Sequence, residues 1–250
     1  MTFQDHFSAH AAAYAHARPV YPSELFDWLA SQVGARTLAW DAGTGNGQAA
    51  IALATRFARV IATDASAEQI SRAMTRSNVV YRVARAEEGI EAAPASVDLV
   101  TIAQALHWFE RPAFYARVRE VAKPGAVIAA WCYGLARITP EIDALVGNFY
   151  EHVVGPYWPP DRRWIEERYL TLEFPFEEIV APAFEMRHEW RVAQMLAYLG
   201  TWSAVQRYAR ERGEDPLAGL APALEAAWGG DEAVRTVRWS LHLRAGRVVP

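Results

Sequence analysis

Two aspartates and a cluster of glycines are the residues of this 250-residue chain best suited to chemistry. Asp41, Gly43, Gly45 and Gly47 stand together in Leu38-Ala39-Trp40-Asp41-Ala42-Gly43-Thr44-Gly45-Asn46-Gly47, and Asp64 closes the apolar run from Arg59 to Thr63. Glycines at this spacing let a chain turn sharply from strand into helix, and let its backbone approach a ligand with no side chain in between. A carboxylate at the end of the following strand can accept hydrogen bonds from both hydroxyls of a ribose. Together the two features point to a nucleoside-containing cofactor, against the plainer reading of ordinary strand-to-helix turns.

The form of the turn narrows the cofactor. Dinucleotide enzymes usually carry Gly-x-Gly-x-x-Gly, which aims a helix N-terminus at a pyrophosphate. Here the pattern is Asp-x-Gly-x-Gly-x-Gly. An acid before the first glycine repels a pyrophosphate but suits a ligand bearing an ammonium group. S-adenosylmethionine has that group, so it is the expected cofactor, with S-adenosylhomocysteine as its product. An NAD-dependent oxidoreductase on a related fold is the first rival, because it uses the same glycines and Asp64.

These residues need a frame of alternating strands and helices, and the first 135 residues supply the pattern. Leu25, Trp28 and Leu29 recur at helical spacing over Glu24 to Gln32, and Gly34 follows. Apolar runs at Thr37–Trp40, Arg59–Thr63, Val79–Val83, Val97–Ile102 and Val127–Trp131 read as strands buried on both faces, which is the pattern of a parallel sheet covered by helices. Arg111–Val121 reads as a helix stopped by the turn Lys123-Pro124-Gly125. In the second half, Gly155-Pro156-Tyr157-Trp158-Pro159-Pro160 cannot be regular helix or a central strand. Ala183–Val192 is expected as a sixth strand, Gln194–Arg212 as one helix, and Thr236–Leu243 as a half-exposed edge strand, antiparallel to the rest.

Composition excludes several classes. Hydrophobic residues make up 52% and charged residues 22%, enough apolar material for a large core. The net charge of −4, with no Lys/Arg run, argues against a polynucleotide partner. No signal-like N-terminus is present, and no apolar stretch approaches the roughly 20 residues that span a bilayer, so a cytoplasmic protein without a membrane partner is expected. The single cysteine, Cys132, excludes an internal disulfide and cysteine-based metal sites and reads as a core residue. His10, His16, His152 and His188 lack metal-ligand spacing, so no metal is expected.

The chain resembles the class I S-adenosylmethionine-dependent methyltransferases, and within them the small-molecule branch of trans-aconitate-methyltransferase-like proteins. The resemblance covers about residues 3–135. It rests on Asp41–Gly47, Thr63-Asp64-Ala65-Ser66, Ala86-Glu87-Glu88, the run Val97 to Phe109, Val121 to Gly125, and the leader Tyr14 to Pro22. Trp40 and Ala122 depart from the usual aliphatic residue and leucine.

The resemblance implies a Rossmann-like seven-stranded, mostly parallel α/β sheet with helices on both faces and the last strand antiparallel. It implies one domain over 1–250, with a lid over the cofactor (1–22), a cofactor-binding half (23–135), a substrate-side insertion after strand five (136–180) and C-terminal strands and helix (181–250). Asp41 and Gly43 would face the methionine part, with Thr44, Gly45 and Gly47 completing the turn. Asp64 would hold the ribose, Ala65, Ala86 and Glu87 the adenine edge, and Ala103 and Gln104 the amino-acid end. Tyr14 and Arg18 would close over the cofactor.

Methyl transfer from an activated sulfonium needs alignment and water exclusion more than catalytic side chains. Aromatic faces stabilise cations, which makes Tyr14 and Trp108 candidate neighbours of the sulfonium. His107, just past the fourth strand, suits a general base for a hydroxyl acceptor, and suits equally a helix cap or a backbone partner. A carboxylate acceptor needs no base but calls for a cation, for which Arg162 and Arg163 beside Trp158 are candidates. The expected partner is a small-molecule acceptor, the expected state a monomer or homodimer. A non-catalytic S-adenosylmethionine-binding protein is the second rival.

Overall fold

The computed structural model describes residues 18–249, and Tyr14 with the rest of the leader lies outside them. The chain divides into two compact units. The first comprises Tyr21–Tyr133, Arg163–Phe184 and the segment from Leu241 onward; the second comprises Gly134–Arg162, Glu185–Ser240 and the described residues up to Val20.

The first unit alternates as its apolar runs predict: α1 (Ser23–Ser31), β1 (Leu38–Ala42), α2 (Gln48–Leu53), β2 (Arg59–Asp64), α3 (Ala67–Ser71), β3 (Val79–Val83), β4 (Val97–Ala103), α4 (Arg111–Val121) and β5 (Ala122–Cys132). β1 pairs in parallel with β2 on one side and β4 on the other, with Trp40 opposite Ile61 and Val100. Every residue of β1 is buried, as a central strand covered on both faces requires. Leu25 and Leu29 of α1 are likewise buried.

The sheet order is β3-β2-β1-β4-β5-β8-β6, where β6 is Glu177–Ile179 and β8 is Arg235–Arg247. β8 runs antiparallel to β5, Val127 opposite Arg247 and Cys132 opposite His242, and it is the one antiparallel member of this seven-strand path. The expected Rossmann-like architecture is therefore present. Trp40 fits without strain: its ring is fully buried, packs edge-on to Phe114 at 5.4 Å, and its Nε1–H donates to Thr63 Oγ1 at 2.9 Å.

Three expectations need correction. Lys123-Pro124-Gly125 does not separate helix from strand; it lies inside β5 as an irregularity, with Ala122 opposite Val97 and Val127 opposite Leu99. Gly125 takes φ +77°, and Lys123 Nζ donates to the buried Asp98 at 2.5 Å, which ties the irregularity down. The sixth strand in chain order is β6, which takes the last place in the path and is three residues long, too short to leave a periodic signature. The strand expected there, observed as β7 (Phe184–Trp190), pairs β8 off that path.

In the second unit, α5 (Pro140–Asn148) runs into a π-turn at Phe149–Val153 and short 3₁₀ turns at Gly155–Tyr157 and Pro160–Arg162. The helix expected over Gln194–Arg212 is two, α7 (Val192–Gly200) and α8 (Ser203–Arg212), because Trp202 takes an extended backbone, ψ 134°. That break lets the Trp202 ring lie within 5.9 Å of Tyr150, Trp158 and Tyr198. After it comes α9 (Ala221–Trp228). A further helix, α6 (Arg163–Glu166), belongs to the first unit. No helix among the described residues is long and apolar enough to cross a membrane.

Candidate active site

The glycine turn joins the C-terminal end of β1 to α2, and its three glycines all have positive φ, two of them in close packing as well. At Gly43 (φ +67°) a Cβ would sit 2.6 Å from Ala105 Cβ and against the Phe109 ring, so packing within the chain excludes a side chain. At Gly47 (φ +87°) it would collide with the Tyr81 hydroxyl at 2.3 Å. At Gly45 (φ +55°) the nearest atom to an added Cβ among the described residues is Gln69 Oε1 at 3.9 Å, so the backbone conformation itself calls for glycine there.

Asp64 and the turn are joined through the backbone. Gly45 N–H donates to Asp64 Oδ2 and Ser66 N–H to Oδ1, each at 2.8 Å. The carboxylate is thereby fixed beside the bend.

Asp41 is more deeply placed. It is fully buried, with Oδ2 accepting from the Thr44 hydroxyl at 2.5 Å and Oδ1 from Thr101 at 2.7 Å. Burial pushes its carboxyl up from 3.8 to about 6; the two hydroxyls oppose the rise and the charge of Asp64 adds to it. Thr44 also donates its backbone N–H to Thr63 O at 2.9 Å, tying the turn to β2. Thr101 escaped sequence reading, since sixty residues separate it from Asp41 and only the β1–β4 register, which sets Asp41 opposite Thr101, brings them together.

The remaining cofactor candidates occupy the neighbouring strand ends. Ala65 follows β2, Ala103 closes β4, and Ala86 is buried in a 3₁₀ turn with Glu87. Glu87 has work inside the protein: its Oε1 accepts from Glu110 N–H at 2.7 Å, at the start of α4. Gln104 takes φ +54°, and its Oε1 accepts from Tyr133 N–H at 2.9 Å, bridging the ends of β4 and β5. A positive φ at a non-glycine residue costs energy that the surroundings must offset.

His107 and Trp108 lie in the 3₁₀ turn after β4. His107 is buried, its Nδ1 is 2.7 Å from the hydroxyl of the fully buried Tyr169, and Trp108 stacks on it at 4.6 Å while remaining partly exposed. Nothing near Tyr169 in sequence signals this pairing across 62 residues.

The two candidate arginines lie over different rings. Arg162 belongs to the second unit, where its guanidinium covers Trp158 at 4.4 Å and its Nε–H donates to Tyr150 Oη at 2.9 Å. Arg163 belongs to the first and stacks on Trp164 at 4.3 Å. Arg18 lies over the Tyr198 ring at 5.9 Å within the second unit.

The comparisons with known proteins bear on the fold and the family. A solved structure from Anaeromyxobacter dehalogenans, described as a type II methyltransferase, is 48% identical, covers 93% of this chain and 99% of its own, and superposes with a TM-score of 0.87. Fold and turn thus define a class I methyltransferase. The methyltransferase domain family matches residues 40–130. A protein of Dictyostelium discoideum named as a methyltransferase is 32% identical over 96% of this chain and 94% of its own length. A methyltransferase of Aspergillus candidus is 30% identical over 72% of this chain, which spans 64% of that protein's length. The chain belongs to the S-adenosylmethionine-dependent methyltransferases.

The residues present fit that cofactor. Gly45 offers a backbone surface that any Cβ would cover, and Asp64 presents a carboxylate oriented by two amides beside it. The cofactor supplies a methyl group on a sulfonium, already activated for transfer.

Proposed function

We propose that the chain methylates an oxygen, carboxylate or hydroxyl, of a small-molecule acceptor. The observation that carries the methyl-donor part of this reading is the pairing of the Gly45 bend with the amide-fixed Asp64. Together they suit a nucleoside sulfonium better than a pyrophosphate, for which the buried Asp41 is a repulsive neighbour. Asp64 holds the ribose, Asp41 with Gly43 and Thr44 the charged methionine end, Ala65, Ala86 and Glu87 the adenine edge, and Ala103 with Gln104 the amino-acid end. Tyr14 and Arg18 of the leader contribute to closure. Trp108 offers its partly exposed ring to a cation, and Arg162 with Trp158 is favoured over Arg163 as an anion-holding pair, since Arg162 is held at two points. The net charge of −4 and the absence of a Lys/Arg run favour a small acceptor over a polynucleotide.

Methyl transfer asks little of the chain beyond orientation and dryness. Two experiments test the reading. Gly45→Val, whose β-branched side chain cannot adopt φ +55° without strain, is expected to abolish S-adenosylhomocysteine binding by calorimetry while the circular dichroism spectrum stays folded; retained binding would show that the turn is not the site. A screen of acid, phenol and amine metabolites for S-adenosylhomocysteine release is expected to return oxygen acceptors. Thermal stabilisation by NAD and not by S-adenosylhomocysteine would favour an oxidoreductase instead.

A further inference from the structure

His107 and Tyr169 meet in a buried contact that the chain maintains against its own backbone preference. Two consecutive left-handed residues, Arg168 at φ +57° and Tyr169 at φ +61°, follow the four-residue helix α6 after Glu167. Neither is a glycine, and a left-handed conformation at non-glycine residues persists only where the surroundings over-determine it, as they do at functional sites. Here the surroundings are identifiable. Arg244, on β8, donates from Nη1 to the carbonyls of Tyr169 at 3.0 Å and Leu172 at 2.6 Å. Its guanidinium is paired with Glu178 on β6 and lies 4.7 Å from the Phe174 ring. The Tyr169 amide closes back onto Trp164 O at 2.8 Å. The result is a fully buried phenol whose hydroxyl sits 2.7 Å from His107 Nδ1. A glycine at 169 would relieve the strain and lose only the ring and its hydroxyl, so the strained backbone serves to deliver that side chain.

We propose that Tyr169 is a positioning residue that donates its hydroxyl hydrogen to His107 Nδ1 and so fixes the imidazole as its Nε2–H tautomer. A neutral imidazole has one donor and one acceptor nitrogen, and the partner of one nitrogen decides which carries the proton. A phenol donates more readily than it accepts, because its oxygen lone pair is partly delocalised into the ring. With Nδ1 occupied as the acceptor, Nε2 carries the hydrogen. His107 therefore serves as a hydrogen-bond donor through Nε2 and takes no proton there, which removes it as a general base at that nitrogen. This assignment rests on the proposed methyl transfer only for its consequence, that His107 is no general base at Nε2; the tautomer itself is argued from the His107–Tyr169 contact.

The test uses the full chain with ¹⁵N-labelled histidine and long-range ¹H–¹⁵N correlation, which reads the protonation of each ring nitrogen directly. The His107 signal is assigned by its loss in His107→Gln. Wild type is expected to show an unprotonated-type Nδ1 and a protonated-type Nε2, and Tyr169→Phe, which removes only the hydroxyl, is expected to shift the ring to a mixture of tautomers. A protonated Nδ1 in wild type overturns the proposal without any variant at Tyr169, and so does a folded Tyr169→Phe that keeps a pure Nε2–H signature. Titration of the same samples with S-adenosylhomocysteine keeps the two readings apart. Wild type that fails to bind it refutes the cofactor site, while the tautomer result decides the role of Tyr169 independently.

Discussion

The glycine turn and the aromatic cluster of the second unit are built on opposite principles. In the turn, what matters is the path of the backbone: three left-handed glycines, two amides donating to Asp64, and a buried acid capped by two threonine hydroxyls. In the aromatic cluster, Trp190, Tyr198, Trp202 and Trp239 meet ring to ring through side chains drawn from β7, α7, the break before α8, and β8. A site made of backbone is tied to a few residue types at fixed spacing. One made of packed rings accepts many sequences of the same volume. The first leaves a motif, while the second leaves only an excess of aromatic residues.

Substitutions can separate the two regions. The largest effect is expected from Trp239→Ala, which removes a fully buried ring from three aromatic neighbours of the second unit; urea denaturation should show a loss of about 4 kcal/mol. If the regions are as different as their construction suggests, calorimetry at low temperature should find S-adenosylhomocysteine affinity unchanged. A parallel loss of both would break the contrast.

Asp41→Asn comes next. A carboxyl moved from 3.8 to about 6 by burial binds its proton more tightly folded than unfolded. Its stability contribution is full below pH 3.8 and is lost as pH rises through about 6, an amount of about 3 kcal/mol. The asparagine stays neutral, so the unliganded variant should be more stable than wild type above pH 7 and should lack this decline, while binding S-adenosylhomocysteine more weakly. A variant that is destabilised at pH 8 would show that the charge is fully compensated by Thr44 and Thr101.

Asp64→Ala is expected to cost about 2.7 kcal/mol of cofactor affinity, roughly a hundredfold, through loss of a charged acceptor. Unchanged calorimetric titration would remove Asp64 from the site. The smallest change is expected for Arg162→Gln, which gives up a stacked guanidinium and its bond to Tyr150 for about 1 kcal/mol of stability. It sharpens the comparison by showing whether a polar group in the aromatic region carries binding: acceptor KM should rise while cofactor affinity holds.

The residues that could be read in advance share one property, that their cause is local. Buried parallel strands gave their positions through unbroken apolar runs, and Asp41 to Gly47 through glycine spacing, because neither depends on distant partners. The errors have the opposite cause. β6 is three residues of mostly exposed strand and becomes one only by pairing with β8. The helix break at Trp202 answers to rings elsewhere in the second unit.

What the amino-acid order determined by itself was the sheet-forming alternation, the left-handed bend and the acid after it, since backbone conformation is chosen by neighbours one to a few residues away. Only the tertiary structure decided that Thr101 reaches Asp41, that Arg244 holds the Arg168–Tyr169 bend, and that Tyr169 reaches His107. Those hydrogen bonds join residues on separate elements, and their energy depends on geometry that exists only after the sheet has closed around them.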